Sequence, residues 1–202
     1  MLPLFIDMVG KRVAVFGAGP VGTRKANYFI EEAEVVAISL DFTDELDPRV
    51  RRIRGDAQEL MSEWIEWADI IIAATDSEVL NKLISGEASK RGKLFNSTDG
   101  TSSFFIPSLV SKDKYSIAIS TNGRSPAMSR FLRLKLEEDL DERYDLMIRL
   151  QEEIREMARG AISSQQEREQ YLRSILNDKD IWKALLIDYS KAKEIAVSKM
   201  VN

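Results

Sequence analysis

The stretch Arg12-Val-Ala-Val-Phe16 running into Gly17-Ala-Gly19-Pro-Val-Gly22 decides the fold. A β-favouring apolar run leads directly into G-x-G-x-x-G. Thr23–Ile30 then reads as a helix, and a second apolar run opens at Glu34. Strand, glycine turn, helix and strand in this order form a dinucleotide-binding βαβ unit. Gly17 allows the tight turn, Gly19 lets backbone approach a pyrophosphate, and Gly22 lets helix pack on strand. The pyrophosphate then sits at the positive end of the helix. A glycine-rich turn with no ligand is the competing reading, and the surrounding strand–helix–strand context weighs against it.

Working outward, Glu34–Leu40, Asp69–Ala74, Leu94–Asn96 and Tyr115–Ser120 also read as strands, with Arg51–Arg54 as a weak edge strand. Ile70, Ile71 and Ile72 make a continuous apolar run, the pattern of a strand covered on both faces. Strands alternating with helices predict an α/β fold with a Rossmann-like, doubly wound parallel sheet. From about Ala127 the strand signals stop. Leu140, Tyr144, Met147, Gln151, Ile154 and Ala158 recur at helical spacing, and Gly160 is expected to end that helix. Ser164 and Glu167 form a capping-box pattern for a further helix. A last helix is expected to carry Trp182, Leu185, Leu186, Tyr189 and Ala196. The expected domains are a dinucleotide domain over 1–112, a dimerisation and substrate-cleft segment over 113–150, and a helical C-terminal region over 151–202.

Composition narrows the chemistry. The 202 residues include no cysteine and no histidine. Thiolate and imidazole metal ligands and a histidine base are therefore excluded, and no metal ligand is assigned. Proton handling must come from Asp, Glu, Tyr, Lys, hydroxyls or backbone. A net charge of −4 argues against a nucleic-acid partner. Met1–Met8 is apolar, but it is short, carries Asp7 and lacks a basic start, so it does not read as a signal peptide. No apolar run reaches the roughly 20 residues of a membrane span, so no membrane partner is expected and the expected location is cytoplasmic.

In an open α/β sheet, ligands bind beyond the carboxyl ends of the strands. The acid that holds the adenosine ribose is expected at the end of the second strand, where Ser39 stands with Asp41 just beyond it. Asp41 reads either as that acid or as a solvated loop residue. No arginine follows the second strand closely enough to suggest a 2′-phosphate, which favours NAD over NADP. Arg24 and Lys25 read as helix surface. Thr75 and Asp76 follow the Ile70–Ala74 run. Asn96-Ser-Thr-Asp99-Gly-Thr-Ser and Ser120-Thr-Asn-Gly-Arg-Ser-Pro126 are dense in hydroxyls and amides. Asp99 is the only carboxylate in its loop and the best single candidate for proton handling. On spacing alone, an Asx turn before Gly100 is the commoner role for such an aspartate.

Taken together, these residues resemble the precorrin-2 dehydrogenase family, which includes the N-terminal part of siroheme synthases. The resemblance covers roughly residues 2–150. Its pieces are Leu2-Pro-Leu-Phe-Ile-Asp7 leading to Gly10-Lys11, the glycine turn ending Thr23-Arg-Lys25-Ala26, and Ala73-Ala74-Thr75-Asp76 with Asn81. They continue with Phe95-Asn96 through Asp99, Ser103-Phe-Phe-Ile-Pro107-Ser108, and Ile119 through Pro126.

The resemblance implies NAD-dependent oxidation of the tetrapyrrole precorrin-2 to sirohydrochlorin, and in two-activity relatives insertion of Fe²⁺ as a second reaction. It places the catalytic aspartate at Asp99. Dinucleotide contacts fall on Pro20, Val21, Asp41 and Phe42 and near Thr75 and Asp76, beside Gly17, Gly19 and Gly22. Substrate contacts fall on Asn96, Ser120, Thr121, Asn122, Arg124 and Ser125. Thr121 stands where some members carry a serine that can be phosphorylated. Arg124, Arg130, Arg133 and Lys135 could face substrate carboxylates or form a solvated helix face. The resemblance further implies a homodimer, and a chain without the methyltransferase domain of fused siroheme synthases. Two other functions fit the glycine turn. One is a non-catalytic NAD-sensing regulatory module, which leaves the hydroxyl-rich loops unexplained. The other is an unrelated dehydrogenase with a Tyr–Lys pair, but the Tyr-x-x-x-Lys of this chain, Tyr189 with Lys193, lies in the helical tail.

Overall fold

A computed structural model describes residues 2–200; Met1 and the last two residues of the expected 151–202 region lie outside the described residues. The chain divides into two compact units, Met1–Ile106 and Pro107–Asn202.

The first unit is an α/β sandwich. Its strands β1 (Arg12–Phe16), β2 (Glu34–Ser39), β3 (Arg51–Arg54), β4 (Ile70–Ala73) and β5 (Leu94–Ser97) form one parallel sheet in the order β3-β2-β1-β4-β5. Helix α1 (Pro20–Phe29) joins β1 to β2. Helix α2 (Ala57–Trp67) joins β3 to β4, and α3 (Glu78–Lys90) joins β4 to β5. The period of two along each strand sorts the core. Val13, Val15, Val35, Ala37, Ile70 and Ile72 pack with Ala26 and Phe29 of α1. Ala14, Phe16, Val36, Ile38, Ile71 and Ala73 pack with Trp64 and Ile65 of α2 and with Ile84 and Ala88 of α3. Both sheet faces are thus buried, as a parallel sheet requires.

Strand order reverses between β1 and β4, and the glycine turn leaves β1 at that switch point. β3 is the charged edge anticipated from Arg51–Arg54: only Ile53 points into the core, and Arg51 lies over the Trp64 ring. The opposite edge is closed by the chain itself. Ser103 Oγ accepts from Phe95 N and Ser102 Oγ accepts from Ser97 N, so two hydroxyls of the polar loop cover the outer side of β5.

The second unit begins with an antiparallel hairpin, β6 (Ser108–Ser111) and β7 (Ser116–Ile119). This corrects the assignment of Tyr115–Ser120 to the parallel sheet. A parallel pairing needs a long crossover, whereas only 112–115 separate these strands. β6 is weak in the sequence because only Leu109 and Val110 are apolar in it. Helices α4 (Pro126–Asp139), α5 (Arg143–Ala161), α6 (Gln165–Leu176), α7 (Lys179–Leu185) and α8 (Tyr189–Ser198) follow. Leu140 terminates α4 rather than joining the next helix, and α5 runs through Gly160 to Ala161 before Ile162 turns extended. Ser164 caps α6 through Glu167 N, as its pattern predicts. The single last helix is two, because Asp178 and Asp188 each cap a new start. Met147, Leu150 and Ile154 of α5 form a core with Ile175, Ile181, Leu185, Ala192 and Ala196. Among the described residues no helix is long and apolar enough to cross a membrane.

Candidate functional site

The three motif glycines differ in what the protein itself demands. Gly17 has φ +95°, and a Cβ there would collide with the Ala74 carbonyl at the end of β4. A Cβ on Gly22 would strike the Gly17 carbonyl. Gly19 has φ −71° and ψ −175°, values open to any residue, and a Cβ there would meet no atom within 4 Å. Chain packing therefore explains two glycines and leaves the third to whatever lies over the turn. Gly19 is also the N-cap of α1 and supplies no side-chain acceptor, and the first turn holds no acidic residue. The helix N-terminus thus keeps its free amides and its positive dipole for an anion.

A cavity of about 630 Å³ opens there, lined by Gly17, Gly19, Pro20 and Val21 of the turn, Asp41 and Phe42 after β2, Thr75 and Asp76 after β4, and Gly55–Ala57 after β3. Of the expected dinucleotide residues, only Gly22 stands behind the lining. The loop carrying Asp41 and Phe42 is pinned to α1: Asn27 donates to Glu45 O and accepts from Asp47 N, and the Thr23 and Thr43 hydroxyls lie 2.9 Å apart. These residues fit a dinucleotide with its pyrophosphate at the glycine turn and its adenosine toward Asp41.

Asp99 follows β5, next to this cavity through one shared partner. Asn81 of α3 is fully buried. Its Oδ1 accepts from Thr75 N at 2.9 Å and Thr75 Oγ1 at 2.8 Å, while its Nδ2 donates to Thr75 O and to Asp99 Oδ2, the latter at 2.7 Å. Thr98 Oγ1 adds a 3.1 Å donation to the same carboxylate oxygen. The carboxylate of Asp99 is thus held by Asn81 and Thr98 rather than by the downstream amide that an Asx turn would use. Asn96 is buried, with both ends of its amide satisfied: Lys25 Nζ donates to Oδ1 at 2.7 Å, and Nδ2 donates to Phe104 O. Burial, and after it the adjacent charge of Arg24, lowers the Lys25 ammonium from its usual range; Asp99 opposes the shift.

In the second unit, the loop after β7 is a turn with Asn122 at φ +54° and Gly123 at φ +75°, closed by Arg124 N donating to Thr121 O. Thr121 Oγ1 donates to Ser125 O and accepts from Ser125 N, Ser120 Oγ accepts from Asn122 N, and Ser125 Oγ caps α4 through Met128 N. The expected substrate hydroxyls therefore also shape the loop, and Asn122 and Arg124 stand exposed.

Three residues of the site receive no site role from sequence reasoning. Asn81 has no role assignable from spacing, although a polar residue on the sheet-facing side of a helix is a sign of a buried amide. Lys25 is half-buried rather than plain surface. Arg54 lies against Asp41, with Nη1 to Oδ1 at 3.1 Å, because β3 pairs with β2 in the register Ser39–Arg54. A search confined to the residues directly after β2 does not reach it.

Known proteins share this architecture. A family model described as putative NAD(P)-binding matches residues 4–108. A precorrin-2 dehydrogenase of Methanosarcina barkeri is 33% identical over 204 residues, covering 96% of this chain and 91% of that protein. A siroheme synthase of Mannheimia succiniciproducens is 31% identical over 180 residues, covering 87% of this chain but only 38% of that protein. A siroheme synthase of Pseudomonas fluorescens is 27% identical and covers 98% of this chain and 44% of its own length. The chain thus spans less than half of those longer relatives. A solved structure described as SirC, precorrin-2 dehydrogenase, superposes with a TM-score of 0.71 at 22% identity, over 99% of this chain and 98% of that one.

Proposed function

The chain belongs to the precorrin-2 dehydrogenase family, and on that premise we propose that it oxidises precorrin-2 to sirohydrochlorin with NAD as hydride acceptor. The observation that carries this reading is the Asn81 amide, which ties Thr75 at the dinucleotide cavity to the carboxylate of Asp99. When bound, NAD would supply the redox chemistry as a two-electron hydride acceptor. The chain supplies orientation and proton transfer. Gly17, Gly19, Pro20 and Val21 hold the pyrophosphate, and Asp41 with Phe42 holds the adenosine half. Thr75 and Asp76 border the nicotinamide half. Asp99 takes the proton that leaves the macrocycle, directly or through water, while Asn81 and Thr98 hold the carboxylate in place.

Precorrin-2 carries many carboxylates, so an acidic protein needs local positive charge where it binds. We assign that role to Arg124, with Ser120, Thr121, Asn122 and Ser125 shaping the loop around it. Lys25 and Asn96 position the β5 end of the site. The protein is assigned to the cytoplasm. It is also read as a homodimer. In support, α4 buries none of its own residues and exposes Met128, Phe131 and Leu134 at a spacing of three.

The test is direct. Purified protein is mixed with precorrin-2 and NAD, and NADH and the visible spectrum of the oxidised macrocycle are followed together. Equal formation of both is expected. Dinucleotide binding without turnover would instead favour a module that only senses NAD.

A further inference from the structure

We infer that Arg54 is a latent binding group for the 2′-phosphate of NADP, held out of use by Asp41, and that this pair sets the choice between the two dinucleotides. The inference rests on the assignment of the glycine-turn cavity to a dinucleotide.

The placement follows from the sheet. Pairing of β2 with β3 sets Ser39 beside Arg54, and the chain then turns outward through Asp41 and Phe42. The Arg54 side chain crosses this turn, 5.9 Å from the centre of the Phe42 ring, and ends on the Asp41 carboxylate. Next to the main cavity lies a second one of about 550 Å³, lined by Phe42, Thr43, Asp44, Arg52 and Arg54. Phe42 and Thr43 line both cavities, so the second adjoins the first at the loop after β2.

The two arginines are not equivalent. Arg52 donates to Leu46 O and so is tied to the loop. The Arg54 guanidinium lies over the Phe42 ring and pairs with Asp41, and the Arg54 and Asp41 side chains are open to water at 70% and 90% exposure. A solvated ion pair of this kind is weak and exchanges readily. Where a dinucleotide carries only hydroxyls, Asp41 accepts from them and Arg54 steadies the carboxylate. Where it carries a 2′-phosphate, the Asp41 charge opposes binding, while the Arg54 guanidinium matches phosphate geometry. Asp44, which also lines the second cavity, adds to the repulsion. The acid therefore decides for NAD, and its removal frees a cation already in position for NADP.

Titration calorimetry with NAD and with NADP, without tetrapyrrole, tests this on the wild type, Asp41→Ser, Arg54→Ala and the double variant. The wild type is expected to bind NAD at least tenfold more tightly than NADP. Asp41→Ser strengthens NADP binding by about tenfold or more and weakens NAD binding a few-fold, the scale of a single charge-assisted hydrogen bond. Adding Arg54→Ala to Asp41→Ser abolishes the NADP gain and leaves NAD affinity within a few-fold of the single variant. Both positions are exposed, and unchanged melting temperatures will show that the fold is intact. A double variant that keeps the NADP gain overturns the role of Arg54. A wild type that prefers NADP, or an Asp41→Ser that gains nothing, overturns the role of Asp41. A wild type that binds neither dinucleotide overturns the cavity assignment itself, which the other outcomes leave standing.

Discussion

The Asn81 amide nitrogen donates to Asp99 Oδ2 at 2.7 Å, while its oxygen accepts the backbone amide of Thr75. One buried side chain thus holds the end of β4 and the loop after β5 in a fixed relation. Replacing it with alanine strips Thr75 N of its acceptor and Asp99 of its shorter donor. Asn81→Ala is expected to lower stability by about 1–3 kcal/mol, the range for leaving buried groups unsatisfied. A carboxylate that drifts by an ångström should lower kcat by about 10–100-fold. Denaturant titration and steady-state kinetics check the two parts, and a variant with unchanged kcat would remove Asn81 from the positioning of Asp99.

The three glycines of the turn should separate fold from binding. Gly19→Ala places a methyl group where the protein has open space, so its melting temperature should stay near the wild-type value. Its dinucleotide affinity should fall by more than about tenfold, because the methyl group stands where backbone must approach the pyrophosphate. Gly17→Ala and Gly22→Ala collide with backbone and should lose stability first. Calorimetry and thermal melts on the three variants make the comparison. A Gly19→Ala protein that binds NAD normally would show that nothing lies over the turn.

The glycine turn is legible in the sequence because strand, turn and helix are local and each glycine leaves its mark in the letters. The sheet is legible for the same reason, since Ile70–Ile72 and Val35–Ile38 are apolar without interruption. What stays hidden depends on register and depth. Arg54 reaches Asp41 across 13 residues of sequence because two strands pair, and spacing does not record pairing. Asn81 differs from a surface asparagine only by being buried. The hairpin of β6 and β7 defeats the strand pattern because Ile117 and Ile119 suit a strand of either sheet; the length of the connection decides it.

The α4 face should mediate self-association. Phe131 is 58% exposed, between Met128 and Leu134 on the same side of a helix that buries none of its residues. A dimer that covers this face would be opened by Phe131→Glu, which sets a charge among apolar side chains. Light scattering at micromolar concentration should give a dimer for the wild type and a monomer for the variant. A monomeric wild type would sink the dimer assignment.

Acid should loosen the helical unit through Glu153. Its hydrogen-bonded ion pair with Lys193 at 2.8 Å, helped by Arg149 and opposed by burial, pushes its carboxyl from the ordinary 4.5 down to about 2. A carboxyl depressed by folding contributes stability above its unfolded value and loses it as pH falls toward the folded one. The contribution is therefore complete above about pH 5 and fades from there to about pH 2. Both side chains are roughly one-third exposed, so solvent keeps the amount to about 1 kcal/mol or less. Glu153→Gln should be less stable than the wild type at neutral pH and approach it near pH 2, as followed by denaturation at several pH values. A constant gap across that range would assign the loss to packing instead.

Asp99→Asn is the sharpest test of the chemistry. Asparagine keeps the size of the side chain and can still accept from Asn81 and Thr98 through its oxygen, so the loop should hold. It cannot take a proton. If Asp99 is the base, kcat should fall by about 10²–10⁴, the usual cost of losing general base catalysis. NAD affinity should stay within a few-fold, because Asp99 is not among the residues that line the dinucleotide cavity. A purely structural aspartate predicts the opposite pattern: near-normal turnover, with any loss appearing in the melting temperature. The same variant, given sirohydrochlorin and Fe²⁺ beside the wild type, tests whether the chain inserts iron and whether this aspartate serves that reaction. Turnover of precorrin-2 within a few-fold of the wild type would place the base elsewhere, and Lys25, half-buried and hydrogen-bonded to Asn96 of β5, would be the next side chain to replace.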